Sequence, residues 1–278
     1  MRMTRRRVSR VALNAAALLL FVVTVFPIYW MVATGFKRGV DILSFEPKWL
    51  PLPATLDNFR TAIGKPFFTM DVVNSMIVVA VTVLVALALA FLAALAAARF
   101  QFRGRKALVV MLIVVQMVPL EALIIPLYLM LDKAHQTDRL AGIIVTYMTF
   151  VLPFSIWTLR GFIINIPMEL EEAAMVDGAS RLRIFWEVVV PVALPGLAAT
   201  AILTFLYCWN EFLFALSFTL GPERQTVPVA IALFRGRYQV PWGQILAAAI
   251  VATAPVAALV LVFQRKIVQG LTAGAVKG

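Results

Sequence analysis

Residues 72–98 are VVNSMIVVAVTVLVALALAFLAALAAA, a stretch of 27 residues without one charged side chain. An α-helix rises about 1.5 Å per residue, so a helix of this length crosses the roughly 30 Å hydrocarbon core of a bilayer with some tilt. The stretch therefore predicts a transmembrane α-helix.

Five further apolar stretches of membrane-crossing length cover residues 11–34, 107–131, 141–159, about 188–220 and 245–263. The first follows the basic start MRMTRRRVSR, which resembles the beginning of a signal peptide. The apolar run is too long for a signal peptide and lacks a small-residue cleavage site, so we expect it to be retained. The sequence thus predicts an all-α, polytopic membrane protein with six transmembrane helices.

The composition excludes several classes of protein. Of the 278 residues, 62% are hydrophobic and only 14% are charged, which excludes a soluble globular enzyme. The net charge is +11. In a membrane protein, an excess of basic residues is typical of cytoplasmic loops that face anionic lipid, so we expect no nucleic-acid partner. One cysteine, Cys208, and one histidine, His135, exclude an intramolecular disulfide and a multi-histidine metal site, and we expect no metal.

The distribution of Lys and Arg predicts the orientation. Segments 1–10, 99–106, 160–187 and 264–278 hold 15 basic residues in 61 positions, whereas the loops on the opposite side hold 10 in 70. Because basic loops stay in the cytoplasm, both termini are expected there.

The cytoplasmic segment 165–191 has the pattern of two short helices joined by a turn. Pro167 suits a first helical position, and the glutamates after it favour a helix N-terminus. This helix should stop at Asp177 and Gly178, since glycine takes the left-handed conformation of a helix end. Ser180 should then cap a second short helix that ends before the next proline.

One face of the first of these helices carries mostly small side chains, namely Leu170, Ala173, Ala174 and Asp177. Such a face lets another backbone or a groove approach closely, which indicates docking to a partner. The alternative is an amphipathic turn that lies at the lipid surface without a partner. Periodicity alone does not separate the two.

The residue types of this segment resemble the EAA loop of ABC importer permeases, with its glutamate, paired alanines, glycine and terminal proline. The matching residues are Glu172, Ala173, Ala174, Asp177, Gly178, Ala179, Phe185, Val188, Val190 and Pro191. Val188 and Val190 depart conservatively from the isoleucine and leucine that are common there. Other similar stretches are FPIYWMVATGFK (26–37), VPLEALIIPLY (118–128), WNEF (209–212) and GLTAGAVKG (270–278). Together they resemble the carbohydrate-importer branch of the maltose-system type.

The resemblance implies a heterodimer of two permeases in a bacterial or archaeal plasma membrane. Its partners would be two cytosolic ATPase subunits and an extracytoplasmic solute-binding protein. This chain would be one non-catalytic permease half and a single transmembrane domain over residues 1–278. Its parts would be the first helix and outer loop (1–71), a core (about 72–264) and a cytoplasmic tail (265–278).

The resemblance also implies roles for particular residues. Coupling to an ATPase cleft falls on Glu172, Ala173, Ala174, Asp177, Gly178, Ala179, Phe185 and Pro191. The tail residues Gly274, Ala275, Val276, Lys277 and Gly278 would reach the ATPase dimer. The chain has no GxxxxGK[ST] stretch, so it is expected to bind no cofactor, with ATP and Mg²⁺ held by the partner subunits.

Two glutamates interrupt apolar spans, and an ionised carboxylate facing lipid costs about 2.5 to 3.5 kcal/mol on insertion scales. We therefore expect Glu121 and Glu211 to face a cavity or a partner, with a kinked or unwound backbone between Pro119 and Pro126. Glu121, Trp209, Asn210 and Glu211 are candidates for sugar contact. Hydrogen bonding from Glu211 and its neighbours to the other permease is the alternative.

The function indicated is a permease subunit of an ATP-driven sugar importer that works by alternating access. A permease for another solute, such as a glycerophosphodiester or polyol, stays open. A secondary transporter would be expected to have relays of Asp, Arg or His inside the membrane. A membrane enzyme would be expected to have a cluster of polar catalytic residues. The sequence shows neither feature.

Overall fold

The computed structural model describes residues 2–234 and 240–275, with side chains placed for residues 12–234 and 240–263. The described residues form α-helices, short 3-10 turns and one π-helical turn, without a strand. The α-helices are α1 (Arg2–Gly35), α2 (Gly39–Ile42), α3 (Asp57–Ile63), α4 (Phe68–Arg99), α5 (Arg105–Gln116), α6 (Ile124–Lys133), α7 (Leu140–Ile164), α8 (Glu169–Val176), α9 (Arg181–Ile184), α10 (Val190–Trp209), α11 (Leu213–Phe218), α12 (Val227–Ala232) and α13 (Trp242–Ala275).

Five helical stretches in the described residues are long and apolar enough to cross a membrane: Ala12–Gly35, Phe68–Arg99, Leu140–Ile164, Arg181–Trp209 and Trp242–Phe263. A sixth crossing results if α5 and the helical residues Leu120–Lys133 count as one span, bent by 96°. The bend falls at Pro119, between α5 and a 3-10 turn, because proline has no N–H to continue the α-helix. The all-α polytopic fold and the interruption of the third span are confirmed.

Contacts within the chain group it into two compact units, and the single domain expected from the sequence stays a prediction. One unit comprises Met1–Phe68 and Ile231–Ala254. In it, the Lys37 ammonium lies 3.8 Å from the centre of the Trp30 ring, and burial lowers the pKa of this lysine. The Asn58 amide donates to the Lys37 carbonyl at 2.7 Å. These contacts order the chain where it leaves the first span.

The other unit comprises Thr69–Ala230 and Pro255–Gly278 and contains two apolar clusters. The first cluster includes Val78, Tyr147, Trp209, Phe214 and Phe218. The second cluster includes Leu112, Leu159, Ile163, Ile184 and Val189. Helix α4 contributes buried residues to both clusters, so it forms a continuous element along this unit.

The second short helix of segment 165–191 does not end before Pro191, and that expectation is wrong. Helix α9 continues through the π-helical turn Phe185–Val189 into α10. The Val190 N–H donates to the Phe185 carbonyl in this turn. Because proline cannot donate a backbone hydrogen bond, a wider turn directly before Pro191 lets the chain remain helical across it.

Helix α4 binds a short stretch far along the sequence, residues 223–227. Because the distribution of Lys and Arg predicts that this stretch lies outside the cell, we call it the outer segment. The Asn74 side-chain amide donates to two of its carbonyls, each at 3.0 Å. The Ser75 hydroxyl accepts the N–H of Val227 at 2.8 Å. The N-terminal end of α4 and the outer segment are therefore fixed to each other.

Asp71 lies one turn before these contacts and gives a stability prediction. It is 3% exposed, and its Oδ1 has no hydrogen-bond partner among the described residues. Because a buried carboxylate without full hydrogen bonding is costly, we expect Asp71→Asn to stabilise the chain. A gain of 1 kcal/mol raises the melting temperature by about 2 to 4 °C in a protein of this size. Thermal unfolding in detergent measures this effect, with the exposed Asp132→Asn as control. A lower melting temperature for Asp71→Asn alone contradicts the argument.

Candidate functional site

Helix α8 ends in a Schellman motif that requires a glycine. The Ala179 N–H donates to the Ala174 carbonyl at 2.9 Å, and the Gly178 N–H donates to the Met175 carbonyl at 3.0 Å. Gly178 has a φ of +80°, which only glycine adopts without strain. The helix end expected at Asp177 and Gly178 is confirmed.

Ser180 starts the next helix as expected. Its hydroxyl accepts the N–H of Arg183 at 3.4 Å, which caps α9. Helix α8 itself begins at Glu169, two residues after Pro167, with acidic residues in its first turn. Two caps therefore define a helix, a tight turn and a second helix, all set by local sequence.

The outward side of α8 combines small, apolar and acidic side chains. Leu170, Glu172, Ala173 and Asp177 are exposed, and Val176 is 89% exposed. Val176 was not among the candidates from the sequence, although its position four residues after Glu172 places it on the same face. This side offers apolar area and negative charge to a partner.

Ala174 faces differently from its neighbour Ala173. Ala174 and Ala179 are partly buried and pack against the second apolar cluster of their own chain. The reason is geometric, because adjacent helical residues are about 100° apart around the axis. Phe185 also packs inward, with its ring 5.7 Å from that of Phe91. These three residues shape the position of α8, while Ala173 points away from the chain.

An ion pair that sequence reasoning missed ties α8 to the end of α4. The Arg99 Nε donates to the Glu171 Oε1 at 2.7 Å, and the Arg99 Nη2 donates to the Ile166 carbonyl at 2.9 Å. Arg99 is counted in the sequence only as a cytoplasmic basic residue. No local pattern identifies its partner, since Glu171 is 72 positions away.

The bend of the third span borders a cavity of about 370 Å³. Polar groups from three spans line it: Gln116, Thr149, Thr204 and Tyr207. The rest of its wall is apolar, with Phe150 and Phe154 among the lining residues. Glu121 is exposed in the 3-10 turn Leu120–Leu123, and Leu120 and Leu123 of this turn line the cavity. The bend, the cavity and an acidic group therefore occur together.

The Glu211 carboxylate caps α11, the helix that follows the break in the fifth span. Its Oε1 accepts the Phe214 N–H at 2.8 Å, and its Oε2 accepts the Ala215 N–H at 3.1 Å. A carboxylate directly before a short apolar run is a sequence signal for such a cap. Both carboxylate oxygens thus serve this chain's own backbone.

The two neighbours of Glu211 have different surroundings. Trp209 is 4% exposed, and its ring stacks on Phe205 with centroids 5.5 Å apart. Asn210 is exposed, and its amide donates to the Leu206 carbonyl at 2.7 Å. In this conformation Asn210 is the more accessible of the two candidates for sugar contact, and both assignments stay predictions.

The remaining expectations concern the tail and metals. Gly274 and Ala275 form the end of α13, while Val276, Lys277 and Gly278 lie outside the described residues. Among the side chains that the structure describes, no group of three His, Cys, Asp or Glu residues is close enough to hold a metal ion.

Comparison with known proteins gives consistent matches. Residues 86–273 match the family model described as "Binding-protein-dependent transport system inner membrane component". The chain is 40% identical over 276 residues to the diacetylchitobiose uptake system permease protein of Streptomyces coelicolor, an alignment that covers 99% of this chain and 100% of that protein. It is 34% identical to the trehalose/maltose transport system permease protein of Thermococcus litoralis, covering 97% and 98% of the two chains.

The fold is also similar to a chain in the crystal structure of a bacterial ABC transporter involved in the import of the acidic polysaccharide alginate. The TM-score is 0.78 at 20% sequence identity, and the match covers 91% of this chain and 95% of that one. This likeness shows a shared fold.

Proposed function

Because the chain belongs to the family of binding-protein-dependent transport system inner membrane components, we propose that it is a permease subunit of an ATP-driven sugar importer. The observation that carries the proposal is identity of 34 to 40% over nearly the whole chain to permeases named for diacetylchitobiose and for trehalose and maltose. The substrate class is therefore a sugar, most simply a disaccharide.

The chain itself catalyses no reaction in this proposal. It forms one half of the translocation path, and a second permease forms the other half. Two cytosolic ATPase subunits hold ATP and Mg²⁺, and an extracytoplasmic binding protein delivers the sugar. Both termini lie in the cytoplasm, on the same side as α8. The exposed Leu170, Ala173 and Val176 supply the apolar contact with the ATPase, and the acidic residues beside them supply charge complementarity.

Closure of the ATPase subunits on ATP moves α8, and the spans respond by opening the path to the outside. The cavity beside the third-span bend, with its hydroxyl and amide groups, supports a role in sugar passage because these groups exchange hydrogen bonds with sugar hydroxyls. Glu121 and Asn210 are the exposed polar candidates near the breaks in the two spans.

Purification of the tagged chain tests this function. We expect a second permease and an ATPase to co-purify, and the reconstituted complex to hydrolyse ATP faster when a sugar-loaded binding protein is added. A panel of disaccharides, polyols and glycerophosphodiesters identifies the substrate. Stimulation by a polyol or glycerophosphodiester and by none of the sugars contradicts the proposed substrate class.

Ala173→Arg separates docking from folding. An arginine at this exposed position leaves the chain's own packing intact but clashes with a partner on the outward side of α8, and we expect at least tenfold weaker retention of the ATPase subunits, which corresponds to about 1.4 kcal/mol. Quantitative pull-down of permease and ATPase measures it. Ala134→Arg, exposed beyond α6, is the matched control. Ala174→Arg should instead lower the thermal stability of the permease itself, because Ala174 packs inward. Normal ATPase retention by Ala173→Arg rules out docking on this face.

A further inference from the structure

The Arg99–Glu171 pair differs from ordinary surface ion pairs in its burial. The side chain of Arg99 is 9% exposed and that of Glu171 is 16% exposed. The Arg183–Glu187 pair in the same cytoplasmic region has a similar distance of 2.8 Å, but its side chains are 64% and 60% exposed. Exposed pairs are screened by water and contribute little, whereas removing one partner of a buried pair leaves an uncompensated charge.

Arg99 makes two contacts that fix α8 in direction as well as in distance. Its planar guanidinium binds the Glu171 carboxylate with one nitrogen and the Ile166 carbonyl with another. Ile166 lies just before α8 and Glu171 lies in its first turn. A single side chain therefore holds both the approach to the helix and the helix itself.

The apolar contacts between α4 and α8 are loose beside this pair. A cavity of about 240 Å³ lies there, lined by Leu95, Phe100, Met168 and Met175 together with residues of α9 and of the π-helical turn. Because a cavity lacks the close contacts that transmit displacement, the Arg99–Glu171 pair supplies the direct polar connection between the two helices here, in addition to the packing of Ala174 on the second apolar cluster.

The other end of α4 holds the outer segment through Asn74 and Ser75. Helix α4 is 32 residues long, and such a helix spans about 48 Å. It is unbroken by proline, so a displacement of its last residue moves the whole helix.

We infer that the Arg99–Glu171 pair makes α8 and α4 move as one body, so that ATPase motion reaches the outer segment along α4. This inference rests on the proposed function and names positioning residues for it. Residues that only stabilise the fold would affect melting and assembly, whereas this pair also controls the distance between the two helices during the transport cycle.

Spin labels at Met175→Cys and Leu84→Cys test the inference directly, because Met175 lies on α8 away from the side that contacts the ATPase. Both positions are exposed, and the native Cys208 is buried. In the assembled complex with binding protein, we expect the same distance between the labels without nucleotide and with ATP. In Glu171→Gln, which keeps the shape of the side chain but loses its charge, the distance should change with ATP. A changing distance in the unmodified pair overturns the inference, as does a constant distance in Glu171→Gln.

Hydrolysis assays give a second measurement. We expect the complexes with Glu171→Gln and Arg99→Gln to retain the ATPase subunits. Their stimulation of ATP hydrolysis by loaded binding protein should be about tenfold lower, within the ~5 to 150-fold range of typical coupling. Arg99→Lys keeps the charge without the second contact and should be intermediate. Arg183→Gln is the control and should match the unmodified chain. Full stimulation in both Gln variants overturns the inference, whereas an unmodified complex without sugar stimulation overturns the proposed function instead.

Discussion

Gly178→Val is expected to lower sugar-stimulated ATP hydrolysis at least tenfold while the permease still inserts and pairs with its partner. The φ of +80° at this position is an outlier for any β-branched residue, and the left-handed conformation costs an L-residue about 1 to 2 kcal/mol. The chain avoids this cost by leaving the Schellman motif, which moves α8 away from its docked direction. We expect a loss of tenfold or more, since about 1.4 kcal/mol corresponds to each factor of ten.

The measurement is stimulated hydrolysis together with separate quantification of permease and ATPase in membrane pull-downs. Gly178→Asn should retain part of the activity, because asparagine tolerates the left-handed conformation better than valine. Gly161→Val is the matched control, since Gly161 lies within α7 and a Cβ there meets no atom within 4 Å. Equal activity in Gly178→Val and Gly161→Val would show that the turn plays no part in coupling.

Glu211→Lys is expected to prevent stable assembly of the permease pair. Lysine cannot accept the two N–H groups at the start of α11, and loss of a cap costs about 0.5 to 2 kcal/mol. The ammonium also faces the positive end of a helix within an apolar span, where an unmatched charge costs about 2.5 to 3.5 kcal/mol. Both effects destabilise the chain with Glu211→Lys.

Glu211→Gln should assemble, because its amide oxygen still accepts one of these hydrogen bonds. Its melting temperature should be lower than that of the unmodified chain. Glu223→Lys is the control for the change of charge, since Glu223 is exposed in a 3-10 turn. Thermal unfolding and co-purification of the second permease report the outcome. If the complex with Glu211→Lys melts and assembles like that with Glu223→Lys, the cap has no role in stability.

Features that depend on neighbouring residues were predictable from the sequence. The spans follow from the length of apolar runs, and the bend of the third span follows from Pro119. The end of α8 follows from Gly178 and the start of α9 follows from Ser180, because helix caps involve residues three to five positions apart. The resemblance in segment 165–191 depends on the same short-range pattern.

The local sequence pattern did not predict that a helix continues through a wider turn instead of ending. Pro191 was expected to follow the end of the second short helix in segment 165–191, yet the π-helical turn Phe185–Val189 keeps the chain helical across it. For Glu211, the sequence placed a carboxylate inside a span, and the backbone break then determined that both oxygens bind α11.

The tertiary structure alone decided which residues meet over long separations. Arg99 and Glu171 are 72 positions apart, and Asn74 lies 149 and 151 positions from the carbonyls that it binds. It also decided that Ala174 packs inward while Ala173 stays exposed. The physical reason is that periodicity specifies the direction of a side chain around its own helix axis, whereas its partner depends on how separate helices pack.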